Sequence, residues 1–355
     1  MRVGLLPAAE TQPTVLVVVP CYNYGHYLPA CVDSILGQTG VSPRVLIIDD
    51  ASTDDSASVA RALAARDDRI EVVVHTANVG HIGTYNEGLS SAETTYVVLL
   101  SADDLLAPGA LGRAVRVMES DPRIGLVYGH PQNFEGEPDP TPSSITTWTA
   151  WTGPEWIDRQ FRRGLSIIYS PEAVVRTAAH RQAGWYRPEL PHSGDLEMWL
   201  RLADVAHVAR INGPDQAYRR VHEASMMHTA FATPLADLEQ RRAAYESFLD
   251  RSSLPAARVA RLRRTMQKRL AAEAIGWACD RLSEPAPLPG AEIDRCLAFA
   301  LATWDGAHRL SGVRELALRR SPSSAAGDRI RIRLGSAARN VAGRLRWRRW
   351  RYLGT

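Results

Sequence analysis

Two adjacent carboxylates, Asp103 and Asp104, follow the apolar run of residues 95–100, which is typical of a buried strand. The same arrangement occurs upstream, where a second apolar run leads into Asp49 and Asp50. In an open α/β sheet, ligands bind beyond the carboxyl ends of the strands, and carboxylate oxygens suit Mg²⁺ or Mn²⁺ that carries a diphosphate. The residues therefore predict a nucleotide site at one edge of a sheet.

Each of these carboxylates also has a structural alternative, because an Asp that follows a strand often caps a helix or accepts backbone hydrogen bonds in a turn. For Asp54, which precedes a helical segment, both roles stay open. Asp103 and Asp104 favour chemistry, since adjacent carboxylates repel each other unless a cation or hydrogen-bond donors neutralise them. We therefore expect this pair to hold a metal ion or a phosphate.

An alternating pattern of strands and helices positions these polar groups. Apolar runs typical of strands lie near 14–19, 44–49, 70–75, 95–100 and 125–129, with helical stretches between them. This alternation predicts an α/β fold with a mostly parallel, Rossmann-like sheet that has helices on both faces.

The pattern changes after residue 130. Residues 131–153 are rich in Pro, Ser, Thr and Trp and predict a long connection. We expect a helix from Asp195 through Leu202 and a strand around 206–211. Apolar residues at helical spacing between 234 and 318 predict a helical extension.

The composition is that of an ordinary globular protein. The chain has 355 residues, of which 45% are hydrophobic and 23% charged, enough for one large domain or two. We expect a cytoplasmic protein, because no apolar run reaches about 18 residues and the N-terminus lacks the apolar core of a secretory signal. The four cysteines have neither metal-site nor disulfide-scaffold spacing, so we expect buried, reduced thiols.

Positive charge is concentrated at the C-terminus. Residues 321–355 contain nine Arg and one Asp, a net charge of +8, whereas the rest of the chain sums to −5. Trp347, Trp350 and Tyr352 are interleaved with the last arginines. This composition favours a segment that lies on an anionic membrane surface over one that binds nucleic acid, and a solvated terminus is the structural alternative.

Five polar segments occur in order along the chain: 17–23, 47–54, 78–80, 86–89 and 101–104. Together they closely resemble the family 2 glycosyltransferases, which have the GT-A fold, and the resemblance extends from about residue 14 to about residue 228. Any one segment alone would be weak evidence, whereas their joint occurrence is specific.

The resemblance implies an inverting enzyme that moves a sugar from a nucleoside-diphosphate donor to an acceptor hydroxyl. Donor binding is then expected of Pro20, Tyr22, Asn23, Asp49, Asp50, Asn78, Gly80, Asn86, Ser101, Ala102, Asp103, Arg219 and Arg220. The acceptor class stays open between a glycan, a lipid-linked molecule and a small molecule.

The resemblance also implies a divalent cation, Mg²⁺ or Mn²⁺, on the donor diphosphate. Asp103 is the first expected ligand and Asp104 the second, and His222 is placed so that it completes the shell. The sequence departs from the commoner family pattern because Ser101 stands at the first acidic position, where a hydroxyl contributes no charge.

Transfer to a hydroxyl needs a base that takes the acceptor proton. The resemblance assigns this role to Asp195, with Glu197 as the alternative. Gly194 replaces an acidic residue that often precedes the base. Asp195 also has a structural alternative, because an acidic residue at the start of a helix caps it.

These inferences give one organisation of the chain. An N-terminal segment, 1–13, precedes a GT-A domain, 14–230, with a nucleotide-binding half, 14–130, and an acceptor half, 131–230. A helical extension, 231–320, and the basic tail, 321–355, follow. The alternative functions are a degenerate sugar-nucleotide-binding or scaffold protein without turnover, which Ser101 and Gly194 would suit, and a nucleotidyltransferase.

Overall fold

The computed structural model describes residues 2–5, 12–139, 147–222, 233–282 and 290–320, together with part of 335–348. The chain divides into two compact units. The first comprises residues 1–157 and 166–229, and the second comprises residues 158–165 and 230–353.

The first unit is built on one sheet of ten strands. They are β1 (Arg2–Leu5), β2 (Thr14–Cys21), β3 (Ser42–Asp49), β4 (Ile70–Val74), β5 (Tyr96–Leu99), β6 (Leu105–Leu106), β7 (Ile124–Phe134), β8 (Thr147–Trp151), β9 (Val174–Arg176) and β10 (His207–Arg220). Their order is β1-β8-β10-β7-β9-β5-β2-β3-β4, and β6 pairs with β10.

The predicted strands of the nucleotide-binding half are confirmed. β5, β2, β3 and β4 are parallel neighbours, with Val17 opposite both Val45 and Val98. These strands are rich in Val and Ile, whose branched side chains suit a pleated surface that is covered on both faces. Parallel strands end at the same edge, so the polar residues after β2, β3 and β5 come together.

Helices cover this sheet. They are α1 (Leu28–Leu36), α2 (Ser56–Ala64), α3 (His81–Ser90), α4 (Ala110–Ser120), α6 (Thr177–Ala183) and α7 (Gly194–Val205). A further helix, α5 (Gly153–Arg163), begins in the first unit and ends in the second. The α7 range contains the helix predicted from Asp195. α3 approaches β2 so closely that a Cβ at Gly88 would lie 2.3 Å from Cγ1 of Val18, so any larger residue here would force α3 or the Val18 side chain to move.

The predicted connection over 131–153 is wrong at both ends. β7 continues to Phe134, and Thr147–Trp151 forms β8, which pairs with β10. Alternating Thr and Trp favour a strand, because β-branched and aromatic side chains pack well on a sheet. Residues 140–146 lie outside the described residues.

The second unit contains the predicted helical extension. Its helices are α8 (Pro234–Arg251), α9 (Ala256–Arg281), α10 (Gly290–Thr303) and α11 (Ser311–Arg320). Leu262, Met266, Leu270 and Ala274 of α9 are all buried, as their helical spacing predicts. Among the described residues, we find no helix that combines the length and the apolar character needed to cross a membrane.

Candidate active site

A cavity of about 540 Å³ lies beyond the carboxyl ends of β2, β3 and β5, at the edge where the sequence predicts a nucleotide site. The predicted site residues that line it are Pro20, Tyr22, Asp50, Asn78, Gly80, Ser101, Ala102, Asp103, Asp104, Asp195, Arg219 and Arg220. The predicted site residues that do not line it are Asn23, Asp49, Asn86, Glu197 and His222.

The acidic pair after β5 lies in the wall of the cavity. Oδ2 of Asp103 is 3.0 Å from Nε2 of His222, and Oδ1 of Asp104 accepts a hydrogen bond from the backbone N–H of Arg220 at 2.9 Å. Burial, and then the neighbouring charge of Asp103, raise the pKa of Asp104 well above its usual range. Close approach of two carboxylates is the electrostatic condition that a bound cation relieves.

The described residues contain no group of three or more His, Cys, Asp or Glu side chains that could hold a metal ion by themselves. Mg²⁺ commonly takes one or two carboxylates from the protein and its other ligands from phosphates and water. Asp103 and Asp104 therefore fit a cation that is shared with a bound diphosphate.

The two arginines at the end of β10 differ in what they contact. Nε of Arg220 donates to the carbonyl oxygen of Asp103 at 3.0 Å, and its guanidinium lies 4.4 Å from the ring centroid of Phe134. Arg220 thus holds the backbone that carries the acidic pair. The guanidinium of Arg219 lies 4.9 Å from the ring centroid of Tyr169, and both residues line the cavity. Arg219 and Tyr169 thus lie side by side in the wall of the cavity.

Asp50 builds one wall of the cavity. Its carboxylate accepts hydrogen bonds from the backbone N–H groups of Val79 at 2.8 Å and Gly80 at 3.0 Å, and Nδ1 of His75 is 2.8 Å away. Burial raises the pKa of Asp50, but these hydrogen bonds, first that of His75, lower it below its usual value. Nε2 of His75 is 2.8 Å from Glu87. Burial lowers the pKa of His75, but its two carboxylate partners raise it on balance.

Three polar residues at or after the ends of β2 and β3, two of them predicted to bind the donor, hold loops at the sheet edge. Asn23 has a left-handed φ of +59°, and its Oδ1 accepts a hydrogen bond from the backbone N–H of Thr53 at 2.7 Å. Asp49 accepts one from the backbone N–H of Ser52 at 3.2 Å. Asp54 accepts one at 3.0 Å from the backbone N–H of the first residue of α2, so its structural alternative is confirmed. These three side chains fix the loops after β2 and β3.

Asp195 lies in the first turn of α7 and lines the cavity. Its Oδ1 accepts a hydrogen bond from the hydroxyl of Tyr186 at 2.8 Å. Burial raises the pKa of Asp195, and this raise exceeds the lowering by the Tyr186 hydrogen bond and by the charges of His81 and His192. A carboxylate with a raised pKa is a stronger proton acceptor than an ordinary aspartate.

Glu197 is fully buried and has a different environment. Its Oε1 accepts a hydrogen bond from Nε of Arg187 at 2.7 Å, and its Oε2 accepts one from Nε of Arg201 at 2.8 Å. Arg201 also donates to the carbonyl oxygens of Ala183 and Trp185. Glu197 thus organises an ion-pair network that supports the 183–187 segment.

Some residues near the site were missed by sequence reasoning. The additional lining residues are Cys21, Tyr24, His81, Thr84, Tyr85, Tyr169, Ser170 and Pro171. Several of these lie within or next to the five polar segments, so the sequence could have indicated them. Residues 169–171 and Tyr186 carry no motif and show no periodicity, so no sequence signal identifies them.

Comparisons with known proteins agree with this arrangement. The model of the family described as Glycosyl transferase family 2 matches residues 16–182. Chondroitin synthase of Pasteurella multocida (strain Pm70) is 27% identical over 212 residues, which are 59% of this chain and 21% of that protein. An uncharacterized glycosyltransferase of Haemophilus influenzae (strain ATCC 51907 / DSM 11121 / KW20 / Rd) is 30% identical over 206 residues, 56% of this chain and 63% of that protein. The chain thus spans about a fifth of the synthase's length.

Two solved structures share the fold. S. aureus TarS 1-349, in complex with UDP-GlcNAc, has a TM-score of 0.63 at 18% identity, and the match covers 93% of this chain and 92% of that chain. Mannosyltransferase PcManGT from Pyrobaculum calidifontis, in complex with GDP-Man and Mn²⁺, has a TM-score of 0.56 at 16% identity. The match covers 96% of this chain and 90% of that chain. These similarities confirm the predicted GT-A fold. Residues 16–182 are thus similar to glycosyl transferase family 2, as the motifs of the sequence predict.

Proposed function

We propose that this protein transfers a sugar, with inversion, from a nucleoside-diphosphate donor to an acceptor hydroxyl. One observation carries the proposal: a single cavity joins the acidic pair Asp103 and Asp104 to the carboxylate of Asp195. The related folds of TarS and PcManGT, which bind UDP-GlcNAc and GDP-Man, support a nucleotide-sugar donor.

The proposed reaction uses the chemistry of these groups. Asp195 accepts the proton of the acceptor hydroxyl while the acceptor oxygen forms a bond to the anomeric carbon of the sugar. The bond from that carbon to the diphosphate oxygen breaks, and the electron pair leaves with the diphosphate. Arg219, which lines the cavity, neutralises part of the charge that develops there.

A divalent cation fits this scheme. Asp103 would hold it first and Asp104 second, and His222 lies beside Asp103 at 3.0 Å. When bound, the cation stabilises the departing diphosphate as a Lewis acid. PcManGT, with Mn²⁺ in its structure, supports the choice of Mn²⁺ or Mg²⁺.

Release of nucleoside diphosphate tests the proposal. The purified protein is incubated with UDP- and GDP-sugars, a panel of acceptor glycosides and Mn²⁺. Asp195→Asn preserves shape but removes the proton acceptor, so we expect kcat to fall by about 10²- to 10⁴-fold with donor affinity little changed. Asp67→Asn is the matched control, because Asp67 pairs with Arg69 outside the cavity. If the protein binds a donor but releases nucleoside diphosphate with no combination of donor and acceptor, turnover is contradicted and a sugar-nucleotide-binding protein is favoured.

We also propose that the C-terminal tail holds the protein on an anionic membrane surface. Its net charge of +8 carries this proposal, and Val341, Leu345 and Trp347 add large apolar side chains that are each more than half exposed. Each basic residue near such a surface contributes about 1 kcal/mol of attraction. Aromatic side chains settle at the lipid interface.

Vesicle binding tests the tail. A chain that ends at residue 340 keeps Arg339, whose guanidinium binds Glu315 and Asp280, but lacks five of the nine tail arginines. We expect it to retain turnover of a water-soluble acceptor and to lose binding to phosphatidylglycerol vesicles at low salt. Equal vesicle binding by the full-length and shortened chains would refute the membrane role.

A further inference from the structure

Tyr186 is the group that touches the carboxylate of Asp195. Its hydroxyl donates a hydrogen bond to Oδ1 of Asp195 at 2.8 Å. Among the described residues, Tyr186 is the hydrogen-bond partner of the Asp195 side chain. The N-cap of α7 is Ser193, so the Asp195 carboxylate is not the cap of its helix. Its orientation is therefore set from outside the helix, by Tyr186.

Tyr186 is itself fixed by a side chain of α3. Nδ2 of Asn86 donates to the carbonyl oxygen of Tyr186 at 2.8 Å, and the backbone N–H of Tyr186 donates to Oδ1 of Asn86 at 2.8 Å. One amide thus satisfies both backbone groups of a residue 100 positions away. Arg201 of α7 fixes the preceding peptide by donating to the carbonyl oxygen of Trp185 at 2.8 Å.

The ring of Tyr186 is enclosed as well. It is 4% exposed, and its centroid lies 5.8 Å from that of Tyr85 in an edge-to-face arrangement. A Cβ at Gly194 would lie 3.3 Å from Cδ1 of Tyr186, so α7 also packs closely against the ring. A ring that is held through its backbone and packed against Tyr85 and α7 places its hydroxyl at one position.

We propose that Tyr186 is a positioning residue for the base, whose hydroxyl holds Oδ1 of Asp195 so that Oδ2 receives the acceptor proton, and that Asn86 holds Tyr186 in place. This inference rests on the proposed function of Asp195. It deepens that function by adding two residues outside the cavity lining. A hydrogen bond to one carboxylate oxygen restricts rotation of the group and leaves the second oxygen available to the acceptor.

The electrostatic surroundings of Asp195 give the proposal a signature. Its pKa is raised by burial and lowered by the Tyr186 hydrogen bond and by His81 and His192. Tyr85 and Glu172 also interact with it electrostatically. Since Asp195 acts as a base only when ionised, kcat rises as the pH rises through its pKa. The Tyr186 hydrogen bond lowers the pKa of Asp195, so loss of the hydroxyl raises this pKa and moves the rise in kcat to higher pH.

Tyr186→Phe is the test, because it keeps the ring and removes the hydroxyl. We expect kcat at neutral pH to fall by about 10- to 100-fold, the range for a hydrogen bond to a charged group, with the donor KM unchanged. The acid limb of the kcat profile moves to higher pH. Tyr245→Phe is the matched control, because it also removes a buried hydroxyl, one that donates to the carbonyl oxygen of Gln160 in the second unit. We expect that variant to keep the wild-type profile.

A double-mutant cycle separates this inference from the base assignment. In an Asp195→Asn background, Tyr186→Phe should lower kcat by less than about twofold, since Tyr186 acts through the missing carboxylate. If Asp195→Asn alone has nearly normal kcat, the base assignment fails. If Asp195→Asn is crippled and Tyr186→Phe has a normal kcat and an unmoved acid limb, only the role of Tyr186 fails.

Asn86→Ala keeps the proposal testable if Tyr186→Phe does not fold. It removes both hydrogen bonds to the Tyr186 backbone, and we expect the same loss of kcat and the same direction of the pH shift. A variant with wild-type kcat and pH profile would show that Asn86 does not hold Tyr186 for the reaction. A loss confined to thermal stability would refute this role of Asn86 in the same way.

Discussion

Replacing Glu197 with Gln tests which carboxylate of α7 serves the reaction and which serves the fold. Glu197 is fully buried between Nε of Arg187 at 2.7 Å and Nε of Arg201 at 2.8 Å. Gln keeps the shape of the side chain but removes its charge, so two guanidinium groups lose their counter-charge. We therefore expect Glu197→Gln to act on stability before it acts on turnover.

The magnitude follows from the burial of the partners. Removing one member of a buried ion pair costs about 3–5 kcal/mol. The Arg187 side chain is 26% exposed, and Gln still offers one acceptor oxygen, so the expected cost lies at the lower end, about 3 kcal/mol. In a unit of this size, 1 kcal/mol lowers the Tm by about 2–4 °C, which gives an expected fall of about 6–12 °C.

Thermal unfolding and single-variant kinetics check this prediction together. Glu197→Gln should lower the Tm of the first unit, while its kcat, corrected for the folded fraction, falls by less than about tenfold. Asp195→Asn should give the opposite result, with a nearly unchanged Tm and a kcat lower by about 10²- to 10⁴-fold. An unchanged Tm for Glu197→Gln would refute the account of the ion pair. A crippled Glu197→Gln beside a normal Asp195→Asn would refute the assignment of the base.

Two further predictions concern the donor side of the cavity. Asp103→Ala should abolish Mn²⁺-dependent binding of UDP or GDP in calorimetry while the Tm is retained, and wild-type turnover that persists in excess EDTA would contradict the cation requirement. His75→Gln should lower the Tm more at about pH 6 than at about pH 8.5. Folding raises the pKa of His75 above its ordinary value of 6.5, so the protonated side chain stabilises the fold below pH 6.5, and this stability is lost as the pH rises through the raised pKa. An equal Tm difference at the two pH values would contradict the role of the His75 ion pairs.

The sequence predicts the parallel half of the fold well because each strand there is signalled locally. Valine and isoleucine runs that end in polar residues define β2, β3 and β5, and parallel pairing brings their ends together. β8 escaped prediction because its Thr and Trp residues lie in a segment rich in turn-forming residues, and its partner β10 is distant in sequence. Pairing between distant strands decides its structure, and local composition does not reveal that pairing.

The candidate site divides in the same way. Residue types that do chemistry at strand ends are visible in the sequence, and Asp103, Asp104 and Asp195 all line the cavity. The sequence does not reveal which polar residues contact a ligand and which instead fix the backbone of neighbouring residues. Asn23 and Asn86 belong to the five polar segments, yet their side-chain amides form hydrogen bonds to backbone groups of neighbouring loops. The same residue type suits both uses, and only the positions of the partners distinguish them.

Gly194 and Tyr186 form one feature that the sequence presents as two unrelated ones. In the sequence, Gly194 is a departure that favours a protein without turnover. In the structure, a side chain at position 194 would press on the ring of Tyr186, whose hydroxyl binds Asp195. The absence of a second carboxylate also leaves Asp195 without a like charge directly before it, a charge that would raise its pKa further. The glycine is therefore compatible with turnover, because the space that it leaves admits the group that orients the base.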